Sequence, residues 1–287
     1  MGRYNVYVST GTINKALEDT ARAVSEINEQ KGLHLGLEIS SVHVEEVRDH
    51  LDEYKEQFDE QSIEVGCIHA PMWNNLSSED QTLVDKGMDE VHEAIDLASD
   101  LGARTVVVHP GYEFCDPEWE EAFDITDRGR LDIAYRSVCE VASYAAEKGV
   151  IIAFENLNFV GSTDMERLLA LMERDRTTNP DLSYVRMTLD IGHFNIRGRH
   201  VESLIERYGE EIVHTHLHYN DGDTDAHAPL GPETSHGAVK DYRSAIEALG
   251  RLPDTTHTLE LHLKGTYDEC AEELGRSVDY LRDAGYF

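Results

Sequence analysis

Short runs of β-branched and aliphatic residues alternate with longer amphipathic segments along the whole chain. The short runs have the length and composition of strands buried on both faces, whereas the longer segments carry apolar residues at helical spacing. Eight such strand–helix pairs can be counted. The predicted strands are Arg3–Val8, His34–Ile39, Ile63–His69, Arg104–His109, Val150–Glu155, Val185–Asp190, Ile212–His218 and Thr256–Leu261.

The predicted helices fill the intervals between these strands. The clearest spans Ser78–Leu101, where apolar residues at helical spacing follow the acidic opening S-S-E-D, a typical helix N-terminus. Asp127–Lys148 and Asp268–Arg282 show the same pattern. A glycine precedes several predicted strands, where a glycine is expected to end the helix, at Gly32, Gly102, Gly149 and Gly250.

Eight strand–helix pairs in 287 residues predict an α/β fold, a single (β/α)8 TIM barrel that covers residues 1–287. The alternative is a doubly wound open sheet. That fold usually has a glycine-rich phosphate loop after an early strand, and the turn S-T-G-T after the first strand matches such a loop poorly. The sequence has no linker, low-complexity segment or short repeat that would divide it.

Polar residues end the predicted strands almost every time. One such residue is often only a helix cap or a solvated side chain. In a barrel, however, the C-terminal strand ends converge on one face, so six strands with this feature predict a shared site. The residues are His69, His109, Glu155, Asp190 with His193, the pair His216 and His218, and Glu260.

The stretch from Ile212 to His227 holds more potential metal ligands than any other of its length. His214, His216 and His218 are two residues apart, so on a strand they share one face. Any one of them is adequately explained as a hydrogen-bonded core histidine. A row of three followed by Asp225 and His227 instead favours metal chemistry, because burying the row without a partner leaves many polar atoms unsatisfied.

The ligand types indicate which ions fit. Imidazoles and carboxylates without thiolates suit Zn, Mn, Fe or Co, and a carboxylate such as Glu155 can bridge two ions. One ion accepts roughly four to six ligands of this kind, fewer than the nine candidates in the sequence. The site therefore holds two or three ions, or one ion with additional acid–base residues. The candidates are His69, His109, Glu155, Asp190, His193, His216, Asp225, His227 and Glu260.

Charge adds a further expectation. Asp and Glu number 57 against 25 Lys and Arg, which gives a net charge of -32 spread along the chain. Such a surface is typical of a protein in concentrated salt, where self-repulsion is screened, and it indicates the cytoplasm of a halophile. An ordinary acidic protein is the alternative. The four cysteines are far apart and form no C-x-x-C, so the sequence suggests neither a thiolate zinc site nor a disulfide framework and favours reduced thiols.

Neither a signal peptide nor an apolar run long enough to cross a membrane is apparent. We therefore expect a soluble cytoplasmic protein without a membrane partner, and the oligomeric state stays open.

Five segments together resemble the xylose isomerase-like TIM-barrel superfamily, which includes endonuclease IV and many sugar isomerases and epimerases. They are H-P-G, F-E-N, L-D-I-G-H, H-x-H-L and D-A-H-A-P-L-G. The resemblance covers nearly the whole chain. It implies one ion held by His69, His109 and Glu155, a second by Glu155, Asp190, His216 and Glu260, and a third by His193, Asp225 and His227. His216 and His218 both remain candidates, although the nine-residue step from His216 to Asp225 fits relatives better.

Some positions depart from the family. Tyr219 stands where relatives often have an acid, and Leu230–Glu233 replaces the pattern L-G-E-G. A DNA-cleaving member also needs wedge side chains and a basic surface. Here the loop after the second strand has no arginine, and cations near strand ends are few: Arg197, Arg199 and Lys264. That supply suits one small phosphate or carboxylate better than a duplex.

Aromatic side chains in the connections after predicted strands can stack on a sugar ring or simply pack within their loops. They are Trp73, Tyr112 and Trp119. With His218, Arg197, Arg199 and Lys264 they complete the expected substrate-binding set.

These observations predict a divalent-metal-dependent isomerase or epimerase, with Zn or Mn, acting on a small sugar or sugar phosphate. The resemblance implies that Glu155 or Glu260 moves a proton on the carbon next to a carbonyl. The alternative is an endonuclease IV-like phosphodiester hydrolase with a trinuclear zinc site, although nucleic acid is not the expected partner. A non-catalytic binding barrel is a third hypothesis, disfavoured because so many strand-end ligands have no obvious structural role.

Overall fold

The computed structural model describes residues 5–72, 75–109, 128–157, 162–196, 201–231, 242–252 and 254–287. Eight parallel strands follow one another in chain order, and β1 pairs with β8 to close the barrel. The prediction of a (β/α)8 barrel is therefore confirmed, and the open sheet is excluded. The strands are β1 (Val6–Ser9), β2 (Gly36–Ile39), β3 (Val65–His69), β4 (Thr105–Val108), β5 (Ile151–Glu155), β6 (Val185–Asp190), β7 (Ile212–Leu217) and β8 (Thr256–Leu259).

Helices surround this barrel. They are α1 (Leu17–Lys31), α2 (Val44–Asp49), α3 (Leu51–Glu60), α4 (Gln81–Leu101), α5 (Arg128–Lys148), α6 (Ser162–Asp175), α7 (Ile191–Ile196), α8 (Val201–Tyr208), α9 (Tyr242–Leu249) and α10 (Tyr267–Asp283), with a 3-10 turn at Pro180–Tyr184. Within the described ranges, no helix is both long and apolar enough to span a bilayer.

The predicted element boundaries differ from the observed ones mainly at the strand ends. Most predicted strands extend beyond the observed hydrogen-bonded ladder at one or both ends, for example at His34, His218 and Leu261. The first two residues of the first predicted strand, Arg3 and Tyr4, lie outside the described residues. Hydrophobic pattern alone cannot mark where a buried chain stops pairing with its neighbour, because burial continues beyond the last hydrogen bond.

Three of the four predicted helix-ending glycines are left-handed, with φ of 63°, 73° and 70° at residues 32, 102 and 149. Gly250 also directly follows a helix, α9 (Tyr242–Leu249), and precedes β8. Its backbone is not left-handed, and a Cβ there would lie 2.7 Å from the ring of Tyr286. The residue is therefore explained by close approach of an aromatic ring rather than by the backbone conformation of a helix end.

The apolar core lies mainly between the outer face of the barrel and the helices. Val24, Val91, Ile152 and Leu274 are fully buried members of this layer. Toward the C-terminal strand ends the barrel interior becomes polar, and Glu38, His214, His216 and Thr258 are all completely buried. Polar groups buried so deeply need partners, so this end of the barrel is where chemistry is expected.

His257 is a buried histidine on β8 whose side chain lies on the outer face of the barrel, away from the polar interior. Its Nδ1 lies 2.8 Å from Thr215 Oγ1, and its ring packs edge-on against Tyr286. Burial, together with the neighbouring His214, lowers its pKa from 6.5 to about 3. A neutral His257 is therefore part of the stable fold.

Acidification is expected to destabilise the wild-type protein more steeply than a His257→Gln variant. Because the pKa of His257 is lower in the folded chain, the unfolded chain takes up this proton first, and the stabilisation present above pH 6.5 is lost as the pH falls toward about 3. In this pH range, the difference in unfolding free energy between the wild type and the variant should change by about 1.4 kcal/mol per pH unit. Urea unfolding of both proteins in chelator-containing buffer measures it, and curves that stay parallel on acidification would contradict the expectation.

Candidate metal centre

The C-terminal ends of β3 to β8 bring the predicted ligands together. His69, Glu155 and Asp190 are the last residues of their strands, and His109 directly follows β4. His216 lies near the end of β7, and Glu260 directly follows β8. This placement follows from the barrel architecture. Each apolar run forms a buried strand, and the polar residue comes at the C-terminal end of that strand, where all the strands converge.

Glu155 lies at the centre of this group, surrounded by four imidazoles. Its Oε2 is 3.3 Å from His69 Nε2 and 3.2 Å from His109 Nε2. Its Oε1 is 3.2 Å from His193 Nδ1 and 3.4 Å from His216 Nδ1. Each carboxylate oxygen thus faces a different pair of histidines, which is the arrangement required of a bridging ligand.

Asp190 is held in place by Asn156, the residue after β5. The Asn156 amide donates to the Asp190 carbonyl at 3.0 Å and accepts from the Asp190 backbone N–H at 2.9 Å. The carboxylate accepts a hydrogen bond from the His193 backbone N–H at 2.7 Å and lies 3.1 Å from His218 Nε2. Both of these contacts restrict the rotamer of Asp190.

His216 joins Glu155 and Asp190 to Glu260. Its Nδ1 lies 3.1 Å from Glu260 Oε2 and 3.7 Å from Asp190 Oδ2. Despite these distances, the buried Nδ1 has no hydrogen-bond partner among the described residues. A ring nitrogen facing three carboxylates without a hydrogen bond is the arrangement expected of a metal ligand.

A further cluster is formed by His193, Asp225 and His227. Asp225 Oδ2 lies 3.0 Å from His193 Nε2 and 3.5 Å from His227 Nε2. His227 has a left-handed backbone with φ of 45°, unusual for a residue other than glycine. Its Nδ1 donates to the Glu260 carbonyl at 3.0 Å, which fixes the ring. Backbone strain of this kind is often found at functional sites.

His218 is completely buried beside this cluster. Its ring stacks on His227 at 3.9 Å between centroids, and His227 stacks on His262 at 4.3 Å. A Cβ at residue 192 would come within 2.0 Å of the His218 ring, so Gly192 in L-D-I-G-H is required by this close approach. The buried His218 Nδ1 has no hydrogen-bond partner in the described part of the chain.

The electrostatics of the cluster oppose the effect of burial. Burial alone would lower the pKa of His216, but the carboxylates of Glu260, Glu38 and Glu155 raise it well above its usual value. Burial would likewise raise the pKa of Glu155, but His216 and the hydrogen bonds from His109 and His193 lower it strongly. Despite burial, Glu260 and Asp225 raise the pKa of His227 to about 9. The site therefore concentrates carboxylate charge that requires positive charge beside it.

Several sets of these residues can hold a divalent ion, because their ligand atoms lie within 4.8 Å of one another. One is His69, His109 and Glu155, another is His193, Asp225 and His227, and others pair Glu260 with His69 and His216 or with His218 and His227. The donor chemistry, imidazole nitrogen and carboxylate oxygen, suits zinc or manganese. The residues present thus fit the metal that the sequence predicted.

Most of the predicted substrate-binding residues cannot be compared with the structure. Trp73, Tyr112, Trp119, Arg197 and Arg199 lie outside the described residues. Lys264, after β8, has an exposed side chain.

Sequence reasoning missed several residues that contact the centre. Glu38, on β2, lies 2.9 Å from His214 Nε2 and 3.3 Å from His216 Nε2. The available signal was a charged residue inside the apolar run G-L-E-I, which a barrel strand rarely buries without a partner. Asn156 was noted in the motif F-E-N, but the sequence did not assign it a role. His262, two residues after Glu260, was not singled out.

The sequence matches the profile of a protein family described as the xylose isomerase-like TIM barrel over residues 22–284. The chain belongs to this family. The predicted resemblance is thereby confirmed for almost the whole sequence. An uncharacterised protein of Methanocaldococcus jannaschii is 28% identical over 165 residues, which are 57% of this chain and 59% of that relative. The chain therefore matches little more than half the length of this relative.

Solved structures with the same fold cover nearly the whole chain. A D-tagatose 3-epimerase-like protein superposes with a TM-score of 0.70 at 23% identity, covering 97% of this chain and 98% of its own. A D-psicose 3-epimerase from Clostridium cellulolyticum H10, crystallised with D-tagatose, gives 0.71 at 15% identity, covering 98% and 99%. The IolI protein, crystallised with a zinc atom, gives 0.70 at 21% identity, covering 99% of both chains. At these identities the similarity establishes the fold.

Proposed function

We propose that this protein is a divalent-metal-dependent isomerase or epimerase of a small sugar or sugar phosphate. The observation that carries the proposal is the convergence of two carboxylates, Glu155 and Glu260, on the same ring nitrogen of His216. One comes from β5 and the other from the end of β8. A substrate carbon placed between them would have a carboxylate on either side.

Glu155, Asp190, His216 and Glu260 are the residues proposed to hold the ion nearest the substrate. An ion bound there would polarise a carbonyl oxygen and make the adjacent C–H more acidic. The unpartnered Nδ1 atom of His216 and the buried carboxylate charge around it support this assignment.

The two carboxylates differ in accessibility, which suggests different roles. The Glu155 side chain is 2% exposed and faces four imidazoles, whereas the Glu260 side chain is 18% exposed. Glu260 is therefore the carboxylate better placed to take a proton from the substrate, since it is open to solvent and has fewer partners. Return of a proton to the opposite face gives an epimer, whereas return to the neighbouring carbon gives an isomer.

Glu260 is also ionised, as a general base must be before it takes a proton. Burial would raise its pKa, but the neighbouring His216 and His227 lower it below its usual range, so the carboxylate is ionised at neutral pH. A carboxylate base at neutral pH is the state required for proton abstraction next to a polarised carbonyl.

The names of structurally similar proteins support the substrate class. One is described as D-tagatose 3-epimerase-like, and another is a D-psicose 3-epimerase crystallised with D-tagatose. Zinc in the IolI structure supports a divalent ion in a barrel of this shape. For this chain we extend these descriptions to a sugar or sugar phosphate without choosing among individual sugars.

Proton exchange tests the proposal. Incubated with a panel of ketoses and ketose phosphates in deuterated buffer, the metal-loaded protein is expected to place deuterium on the carbon next to the carbonyl of at least one sugar, detected by NMR. Removal of the ion with a chelator should abolish exchange, and re-addition of Zn²⁺ or Mn²⁺ should restore it. Absence of exchange across a broad panel, at several salt concentrations, would contradict the proposal.

A second function, phosphodiester hydrolysis with three ions, is favoured by one observation. His193, Asp225 and His227 form a third ligand set that a four-ligand isomerase site does not require. We expect the same preparation not to incise DNA with an abasic site, since cations near the strand ends are few. Incision that disappears in a His227→Ala variant, without sugar exchange, would establish the hydrolase instead.

A further inference from the structure

A carboxylate lies behind His216, on the side away from the proposed substrate. Glu38, His214 and His216 are each completely buried. Glu38 Oε2 lies 2.9 Å from His214 Nε2 and 3.3 Å from His216 Nε2, and it accepts a hydrogen bond from Thr258 Oγ1 at 3.1 Å. Glu38 thus connects β2 to the centre across the inside of the barrel.

The two nitrogens of His216 face different groups. Nε2 faces Glu38, whereas Nδ1 faces Glu260 at 3.1 Å and Glu155 at 3.4 Å without a hydrogen bond. A neutral imidazole carries one N–H and one lone pair. Because an ionised carboxylate only accepts hydrogen bonds, Glu38 favours a proton on Nε2. Nδ1 is therefore the nitrogen that would give up its proton when an ion binds.

His214 is the second histidine that contacts Glu38. Its Nδ1 lies 2.6 Å from Thr256 Oγ1 and its Nε2 contacts Glu38. Both nitrogens are therefore engaged inside the barrel. A buried carboxylate with several donors around one oxygen is far less costly than an unpaired one. The donors from His214 and Thr258 fix Glu38 in the position from which it reaches His216.

We propose that Glu38 is a positioning residue, which orients His216 and keeps its proton on Nε2 so that Nδ1 is the metal-ligating atom. This inference rests on the proposed function, because it takes His216 as a ligand. A carboxylate that accepts from the far nitrogen of a ligating histidine fixes the ring and increases its basicity, and its loss typically weakens metal affinity about 10- to 100-fold.

Zinc affinity tests the role of the carboxylate. In competition with a chromophoric chelator, a Glu38→Gln variant is expected to bind zinc about 10- to 100-fold more weakly than the wild type. The matched control is Thr256→Val, which removes the partner of His214 Nδ1 but leaves both histidine contacts of Glu38 intact, and it should bind zinc like the wild type. Circular dichroism and thermal unfolding of each variant establish that the fold is retained.

The protonation of His216 can be observed without any change at Glu38. In zinc-loaded wild type labelled with ¹⁵N-histidine, the resonance that disappears in His216→Gln should report zinc on Nδ1 and a proton on Nε2. Zinc on Nε2, or unchanged zinc affinity in a folded Glu38→Gln variant, would overturn this inference alone. A wild type that binds no zinc or manganese would overturn both this inference and the proposed function.

Discussion

A Glu155→Ala variant is expected to lose more than one metal ion per chain and to lose sugar exchange almost completely. Glu155 itself belongs to two predicted ligand sets, with His69 and His109 in one and His216 in the other, so one side chain contributes to both. Because Glu155 is also one of the two carboxylates proposed to flank the reacting carbon, its removal should lower the exchange rate by at least about 10²- to 10⁴-fold. Elemental analysis of reconstituted protein and the deuterium assay measure the two effects.

Two comparisons make the result specific. Glu155→Gln keeps the volume of the side chain and removes only the charge, so a similar loss in both variants excludes a cavity as the cause. Glu211→Gln removes a carboxylate that is paired with Arg176 at 2.7 Å just before β7, at the other end of the barrel. This control is expected to keep full exchange. A Glu155→Ala protein that still holds its metal would refute the bridging role.

The fold was predictable because barrel strands leave a simple trace in the sequence. Each parallel strand is buried on both faces, so it appears as an uninterrupted apolar run, and it is followed by an amphipathic helix. Closure then adds information that no single segment holds, since the C-terminal ends of all strands must meet. This is why His69, Glu155 and Asp190, which are far apart in the sequence, could be assigned to one place.

Glu38 could not be assigned in the same way. It precedes the last residue of β2 and lies within an apolar run, where both faces of the strand are buried. Alternation therefore does not reveal whether its side chain faces the barrel interior or the helices. Its partner His214 comes from β7, 176 residues later. Only the closed barrel places the two side chains together.

The row of histidines on β7 shows a related limit. A spacing of two residues correctly places His214 and His216 on the same side of the strand, with ring centroids 5.4 Å apart. The sequence does not show which nitrogen of each ring faces which neighbour. For His216 and His218 that depends on side-chain rotamers set by neighbours such as Glu38 and Asp190.

A Glu260→Gln variant is expected to separate proton transfer from metal binding. Glutamine keeps the shape of the side chain and one oxygen that can ligate, but it cannot accept a proton at neutral pH. Glu260 follows β8 and is 18% exposed on its side chain, so the change should cost little stability. The exchange rate should fall by about 10²- to 10⁴-fold, the range typical of general acid–base catalysis, whereas the Michaelis constant should change much less.

Excess metal distinguishes a lost base from a weakened ligand. If Glu260 mainly holds the ion, saturation of the variant with Mn²⁺ should restore exchange, since mass action refills a weakened site. If Glu260 takes the proton, exchange should stay low at full metal occupancy, because the missing group is the acceptor itself. We expect the second outcome, since Glu155, Asp190 and His216 remain in the variant to hold the ion. Recovery to within tenfold of the wild type at full occupancy would instead assign the proton to Glu155.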